Sequence, residues 1–90
     1  MNKEQKQLAE YILTIGNLTL EDRRDKLIEE LSELIRGLIR NDKENIIEEL
    51  ADVQILLFEY IKKAENQSEV SDMIYYKLNR YWRKINDWFY

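Results

Sequence analysis

The chain has 90 residues, with 14 Lys and Arg against 18 Asp and Glu, a formal net charge of −4, and no His, Cys or Pro. This length supports one domain, which is predicted to cover residues 1–90. Because His and Cys are absent, a Ser-His-Asp triad, a cysteine nucleophile and an ordinary zinc site are excluded, and a catalytic metal has to be a hard cation held by carboxylates, Mg²⁺ before Mn²⁺.

The chain shows no targeting or membrane signal. No segment approaches the roughly 18 apolar residues that a membrane span needs, and the polar start "MNKEQKQ" is not typical of a signal peptide. A cytoplasmic protein is therefore expected. A domain this small buries a modest core, and without disulfides it is expected to enlarge that core by assembling as a homodimer or homotetramer.

The first half of the chain predicts two helices. Apolar residues at helical spacing place the first at about residues 3–15, and Gly16 ends it. Thr19, followed three residues later by Asp22, approximates a capping box for the second helix. That helix continues to about residue 39.

The second half predicts two more helices. Either Asn41 or Asp42 caps the third, which covers about residues 43–65. Ser68 is the predicted cap of the fourth, which runs to about residue 88. The chain is therefore predicted to be all-α, with a four-helix bundle-type protomer.

Two segments nearly repeat each other: "LIEELSELI" at residues 27–35 and "IIEELADVQ" at residues 46–54. At about 100° per residue, the second helix gathers its apolar side chains on one broad face, which consists of Leu27, Ile28, Leu31, Leu34, Ile35, Leu38 and Ile39. Glu30 and Glu33 are predicted to lie along one edge of this face.

The acids of the third helix divide between two directions. Glu49 projects into the apolar arc, among Val53 and its neighbours, and Asp52 lies at the edge of that arc. Glu48 and Glu59 are predicted to point away from it, as surface acids do.

An antiparallel hairpin of the second and third helices brings the inward-facing acids together. Residues equidistant from Asn41 lie level, so Glu30 faces Asp52 and Glu33 faces Glu49. A single Glu-x-x-Glu is usually a solvated pair on an amphipathic helix. Four converging carboxylates repel one another and are costly to desolvate unless a cation compensates them. The pattern therefore favours a site for a divalent metal.

The same residues resemble a known family. The segment "EELSE" at 29–33, followed after fifteen positions by "ELAD" at 49–52, resembles the E-E-x-x-E…E-x-x-D signature of the MazG-like, all-α nucleoside triphosphate pyrophosphohydrolases. The resemblance implies an enzyme that cleaves the α–β phosphate bond of a (deoxy)nucleoside triphosphate with Mg²⁺ and releases a monophosphate and pyrophosphate.

The resemblance also implies residue roles. Glu30, Glu33, Glu49 and Asp52 would be the metal ligands. Glu29 and Glu33 would be the catalytic residues. Glu29 would either support the metal ligands without touching the metal or orient the attacking water. The general base stays unassigned, because a metal-bound hydroxide held by Glu33 or Glu30 would serve as well.

A row of basic residues on the fourth helix supplies candidate phosphate contacts. Lys77, Arg80 and Lys84 are predicted to lie along one edge of its apolar stripe. For any single one of them, a side chain that packs its aliphatic part along a buried face is as good an explanation as phosphate binding. Because similar family members place a Lys and an Arg in this helix, Lys77 and Arg80 are favoured, with Lys84 and Lys26 as weaker candidates.

The resemblance further implies a base bound between helices of two protomers. Tyr11, Tyr81 and Trp82 are the stacking candidates, and the sequence does not choose among them.

Three alternatives remain open at this stage. A phosphoribosyl-ATP pyrophosphohydrolase has a similar acid pattern but typically a Pro-containing N-terminal segment, and this chain has no Pro. A non-catalytic helical dimerisation or regulatory module would show no metal dependence. Nucleic-acid binding through the basic row is the weakest alternative, because the chain is acidic overall.

Overall fold

Four α-helices account for most of the chain. The computed structural model describes residues 1–89, with α1 at Lys3–Ile15, α2 at Leu20–Arg40, α3 at Lys43–Ala64 and α4 at Gln67–Phe89. The described residues contain no strand. The prediction of an all-α chain with four helices is confirmed.

Polar caps set where the first three helices begin. The Thr19 hydroxyl accepts from the Asp22 backbone N–H, and the Asp22 carboxylate accepts from Thr19 N–H, which is the predicted capping box. Asn2 and Gln5 form the same reciprocal pair at α1. The Asp42 carboxylate accepts from the backbone N–H three residues later and caps α3.

Left-handed residues end α2 and α3. Asn41 has φ of 54° and Glu65 has φ of 55°, so each turns the chain within two or three residues. The prediction that Ser68 caps α4 is wrong, because the helix already begins at Gln67. The Asn66 carbonyl accepts from the Val70 N–H and takes the capping position.

The α2–α3 hairpin holds most of the buried contacts, and its seam differs from the predicted apolar face. Glu30 is 7 % exposed and Gly37 is buried, whereas Ile28 and Ile35 are each 57 % exposed. This face of α2 lies against α3 because the turn is short and Gly37 has no side chain. A Cβ at Gly37 would lie 3.3 Å from the Asn45 side-chain nitrogen. The helices approach closely along this side of α2, so Glu30 lies in the seam and the isoleucines face outward.

The contact of α1 with α3 completes the packed part of the chain. Helix α1 packs on α3 and buries Ala9 and Leu13, while α3 buries Val53 and Leu56. Glu59 is 3 % exposed, so the prediction that it points outward as a surface acid is wrong.

Helix α4 extends away from the hairpin. Every side chain at positions 71–88 is exposed, including Leu78 and Trp88. The radius of gyration is 16.1 Å, against about 12 Å for a compact chain of this length. The accessible surface is 7614 Å², roughly 2,000 Å² above the area of about 5,600 Å² expected for a folded monomer of this mass. A single chain thus leaves much apolar surface in contact with water.

Across the described residues, none of the four helices contains a stretch both long and apolar enough to span a membrane.

Candidate metal centre

Three acids from two helices converge in the hairpin seam. Glu30 of α2 and Glu49 and Asp52 of α3 each offer a carboxylate oxygen, and these oxygens lie within 4.8 Å of one another. Glu49 and Asp52 share a face because they are three residues apart on one helix. Glu30 and Glu49 are each 7 % exposed, and Asp52 is exposed. The cluster is buried on one side and open to water on the other.

The remaining predicted acids lie at the margin of this cluster. Glu33 is half-buried, and its charge acts on Glu49. Glu29 is exposed and accepts a hydrogen bond from Lys26 at 3.3 Å. Lys26 also lies 3.4 Å from Glu30, and the hydrogen bonds to Glu29 and then Glu30 raise the pKa of its ammonium group. Lys26 therefore supplies one positive charge beside the acids.

The close approach of Glu30 and Glu49 moves their pKa values in opposite directions. The hydrogen bond between the two carboxyl groups is the first cause in both. It lowers the pKa of Glu30, while this contact, burial and the charges of Glu30 and Glu33 raise the pKa of Glu49 to about 7. The pair thus shares one proton near neutral pH, with the proton on Glu49.

This arrangement makes the stability of the metal-free protein depend on pH. Because the native pKa of Glu49 is about 7 against an ordinary value of 4.5, the native state binds more protons than the unfolded state between these values. Stability should therefore fall as pH rises from about 4.5 to 7 and then level off. Glu30, with its lowered pKa, contributes stability that is lost only below this range.

Thermal melts in EDTA from pH 5 to 8 measure this effect. The Glu49→Gln variant, which cannot titrate, is the control and should show a flatter profile. A midpoint that rises with pH across the interval in the unmodified chain would contradict the assignment.

The donor set fits a hard divalent cation. One oxygen of Glu30 and one of Glu49, Oε2 in each, are buried and meet no hydrogen-bond donor among the described residues. The shared proton satisfies one such oxygen at most. Clustered carboxylate oxygens are the ligands that Mg²⁺ and Mn²⁺ prefer, so a cation there would satisfy oxygens that residues 1–89 leave without a donor.

The predicted phosphate contacts of α4 are not brought to the acids within one chain. Lys77, Arg80 and Lys84 lie on the exposed helix, where Arg80 and Lys84 border a shallow depression. Tyr81 and Trp82 are on the same helix and are 54 % and 62 % exposed. Tyr11 is exposed on α1. Of the predicted cations, the single chain places only Lys26 beside the cluster.

The sequence reasoning missed a buried ion pair two helical turns from the cluster. The Arg23 Nη1 atom lies 3.0 Å from Glu59 Oε1, and their side chains are 16 % and 4 % exposed. The rule that levels Glu30 with Asp52 about Asn41 also levels Arg23 with Glu59. The register of the hairpin therefore predicts this ion pair as well, although helical periodicity alone places Glu59 on the surface.

This ion pair borders a groove between α1 and α3, the α1–α3 groove. Its volume is about 480 Å³. Its lining is mainly apolar and consists of Met1, Gln5, Leu8, Ala9, Ile12, Arg23, Ala51, Gln54, Ile55 and Glu59. Ala51 of this lining directly precedes Asp52 of the acid cluster in α3.

Comparison with known proteins adds one finding. The family model described as the MazG nucleotide pyrophosphohydrolase domain matches residues 18–84. The match covers all of α2 and α3 and most of α4. No curated protein and no solved structure matches the chain significantly.

Proposed function

Since this chain belongs to the MazG nucleotide pyrophosphohydrolase family, we propose that it is a Mg²⁺-dependent hydrolase of nucleoside triphosphates. It would cleave the α–β phosphate bond of a ribo- or deoxyribonucleotide and release the monophosphate and pyrophosphate. The observation that carries this proposal is the convergence of Glu30, Glu49 and Asp52, with two buried carboxylate oxygens that meet no hydrogen-bond donor in the described part of the chain.

The charge of the site supports a metal requirement. A triphosphate is strongly anionic, and four acids with one nearby Lys would repel it. Mg²⁺ held there would neutralise phosphate charge and would make water a better nucleophile at neutral pH. Glu30, Glu49 and Asp52 would hold the ion, with Glu33 as a fourth ligand beside Glu49.

The remaining acids have proposed roles around the attacking water. Glu33 is half-buried next to Glu49, a position from which its carboxylate can accept a hydrogen bond from that water. Glu29 accepts a hydrogen bond from Lys26 at the exposed rim of the acid cluster. From there Glu29 would orient either the attacking water or the Lys26 ammonium group. Lys26 lies 3.4 Å from Glu30 and would contact an outer phosphate of a bound nucleotide, and a Lys–phosphate contact is charge-assisted.

The working unit is proposed to be a homodimer. The chain exposes roughly 2,000 Å² more surface than a folded monomer of its mass is expected to expose. That area is sufficient for a stable homodimer interface. The outward isoleucines of α2 and the apolar stripe of α4 offer that surface. The α4 cations Lys77, Arg80 and Lys84 would then reach substrate phosphates at a partner's acid cluster, because their own chain does not bring them to one.

A nucleotide panel tests the proposed function. All common ribo- and deoxyribonucleoside triphosphates are incubated with the protein in Mg²⁺, Mn²⁺ or EDTA, and the products are separated by anion exchange. The expected result is monophosphate plus pyrophosphate from at least one nucleotide, with no turnover in EDTA. Release of orthophosphate and diphosphate would indicate β–γ cleavage instead, and an inactive protein across the whole panel would overturn the proposal.

A further inference from the structure

Building on the proposed function, we infer that the α1–α3 groove binds the nucleobase of the substrate, and that Arg23 and Glu59 recognise its hydrogen-bonding edge. The ligand class is a planar, uncharged heterocycle that carries an acceptor beside an N–H donor.

The size and lining of the groove suit such a ring. Its volume of about 480 Å³ falls within the range of about 300–1,000 Å³ that is usual for small-molecule sites. Leu8, Ile12 and Ile55 line its sides, so the faces of a heterocycle would meet aliphatic side chains. A ligand pocket usually has an apolar wall with a small number of polar groups that point toward the ligand.

The polar end of the groove has a donor without a partner. Glu59 is almost fully buried and accepts from Arg23 Nη1 at 3.0 Å. The Arg23 Nε–H is buried and has no hydrogen-bond partner among the described residues. Such a donor costs stability until it is satisfied, and a ring nitrogen or carbonyl oxygen of a base would satisfy it. The Glu59 carboxylate can accept from the neighbouring N–H of the same base.

Stability alone is a weak reason for this ion pair. Replacing a buried ion pair by apolar residues of similar volume is often neutral or stabilising. A charged pair at the end of an otherwise apolar groove is better explained by recognition of a polar ligand edge.

The register of the hairpin connects this groove to the acid cluster. Arg23 precedes Glu30 by seven residues and Glu59 follows Asp52 by seven, so both lie about 10 Å along their helices from the acids. That separation is comparable with the length of a nucleoside. One nucleotide can therefore place its base in the groove and its phosphates at the cluster.

This assignment differs from stacking on an aromatic side chain. Tyr11, Tyr81 and Trp82 are exposed and lie outside the groove lining. The base would instead be held between aliphatic walls and oriented by Arg23 and Glu59.

Filling the groove tests the inference. In Ala51→Trp, a large side chain replaces an exposed small one on the groove wall, and Leu57→Trp, on an exposed part of α3 outside the groove, is the control. The common nucleosides are titrated into each protein and followed by NMR. Since nucleosides carry no phosphate, their binding does not require the metal. The affinity should fall by roughly tenfold or more in Ala51→Trp and stay unchanged in Leu57→Trp.

A double substitution tests the recognition of the base edge. Arg23→Met combined with Glu59→Leu removes both charges together, which avoids leaving a buried charge alone. Preference among the nucleosides should fall roughly tenfold or more, because a site built to hydrogen-bond a ligand discriminates strongly. The Mg²⁺-induced rise in melting temperature should persist, since the acid cluster is intact.

Three results would overturn the inference: no nucleoside binding to the unmodified protein at millimolar concentration, equal binding by Ala51→Trp, or a change in oligomer mass in Ala51→Trp without a change in nucleoside affinity. The last result would assign the groove to an interface between copies. Nucleoside binding without hydrolysis of any triphosphate would refute the proposed function and leave the groove assignment standing.

Discussion

Replacing Glu49 by Gln should remove Mg²⁺-dependent pyrophosphate release while making the metal-free protein more stable. The amide keeps the shape of the side chain but lacks the charge that holds a cation. Loss of a group that merely supports a metal ligand costs about 10–100-fold, so loss of a central ligand should cost about 100-fold or more. In EDTA at pH 8 the variant should melt higher, because the repulsion of Glu49 by Glu30 and Glu33 is gone.

Melting curves with and without Mg²⁺ separate a metal role from a structural one. A cation that binds only the native state raises the melting temperature, and Glu49→Gln should lose this rise. The matched control is Glu48→Gln, which makes the same chemical change at the exposed neighbouring position and should behave as the unmodified protein. Activity within a few-fold of normal in Glu49→Gln would refute the metal centre. A lower melting temperature in EDTA would mean that Glu49 has a structural role.

Replacing Ile35 by Glu should dissociate the proposed homodimer. Ile35 is 57 % exposed in the single chain, so in a monomer the substitution would change stability little. In a dimer packed on the outer face of α2, it would bury an unpaired carboxylate at the interface. The expected weakening is about 2 kcal/mol or more, roughly 30-fold in the dissociation constant.

Light scattering coupled to size exclusion measures this directly. The unmodified protein should have at least twice the 11.0 kDa mass of the chain, and Ile35→Glu should approach the mass of one chain. Arg36→Gln, which makes the same net charge change at the adjacent polar position, should leave the mass unchanged. A monomeric unmodified protein at micromolar concentration would contradict the dimer.

Much of the acid cluster followed from the sequence because two local rules agree. Helical periodicity places Glu49 and Asp52 on one face of α3, and the turn at Asn41 and Asp42 sets which residues of α2 lie level with them. The cap residues marked that turn. The sequence alone therefore predicts that Glu30 lies opposite Asp52.

The seam itself was not predictable in the same way. Periodicity measures polarity around each helix axis, and it favoured the isoleucine face of α2 as the buried one. It carries no information about which face a partner covers when both faces hold apolar residues. Periodicity alone likewise places Glu59 on the surface, whereas the register of the hairpin, which brings Glu59 level with Arg23, indicates the buried ion pair.

The sequence by itself determined the all-α class, most of the helix boundaries, and the convergence of Glu30, Glu49 and Asp52 in the hairpin. These depend on capping groups, helical spacing and one short turn, all of which act within a few residues. Only the tertiary structure decided that Ile28 and Ile35 of α2 face outward, that Arg23 and Glu59 line the α1–α3 groove, and that α4 leaves the hairpin. Those features depend on how closely two backbones approach and on which apolar faces find a partner, and both are set by contacts between distant parts of the chain.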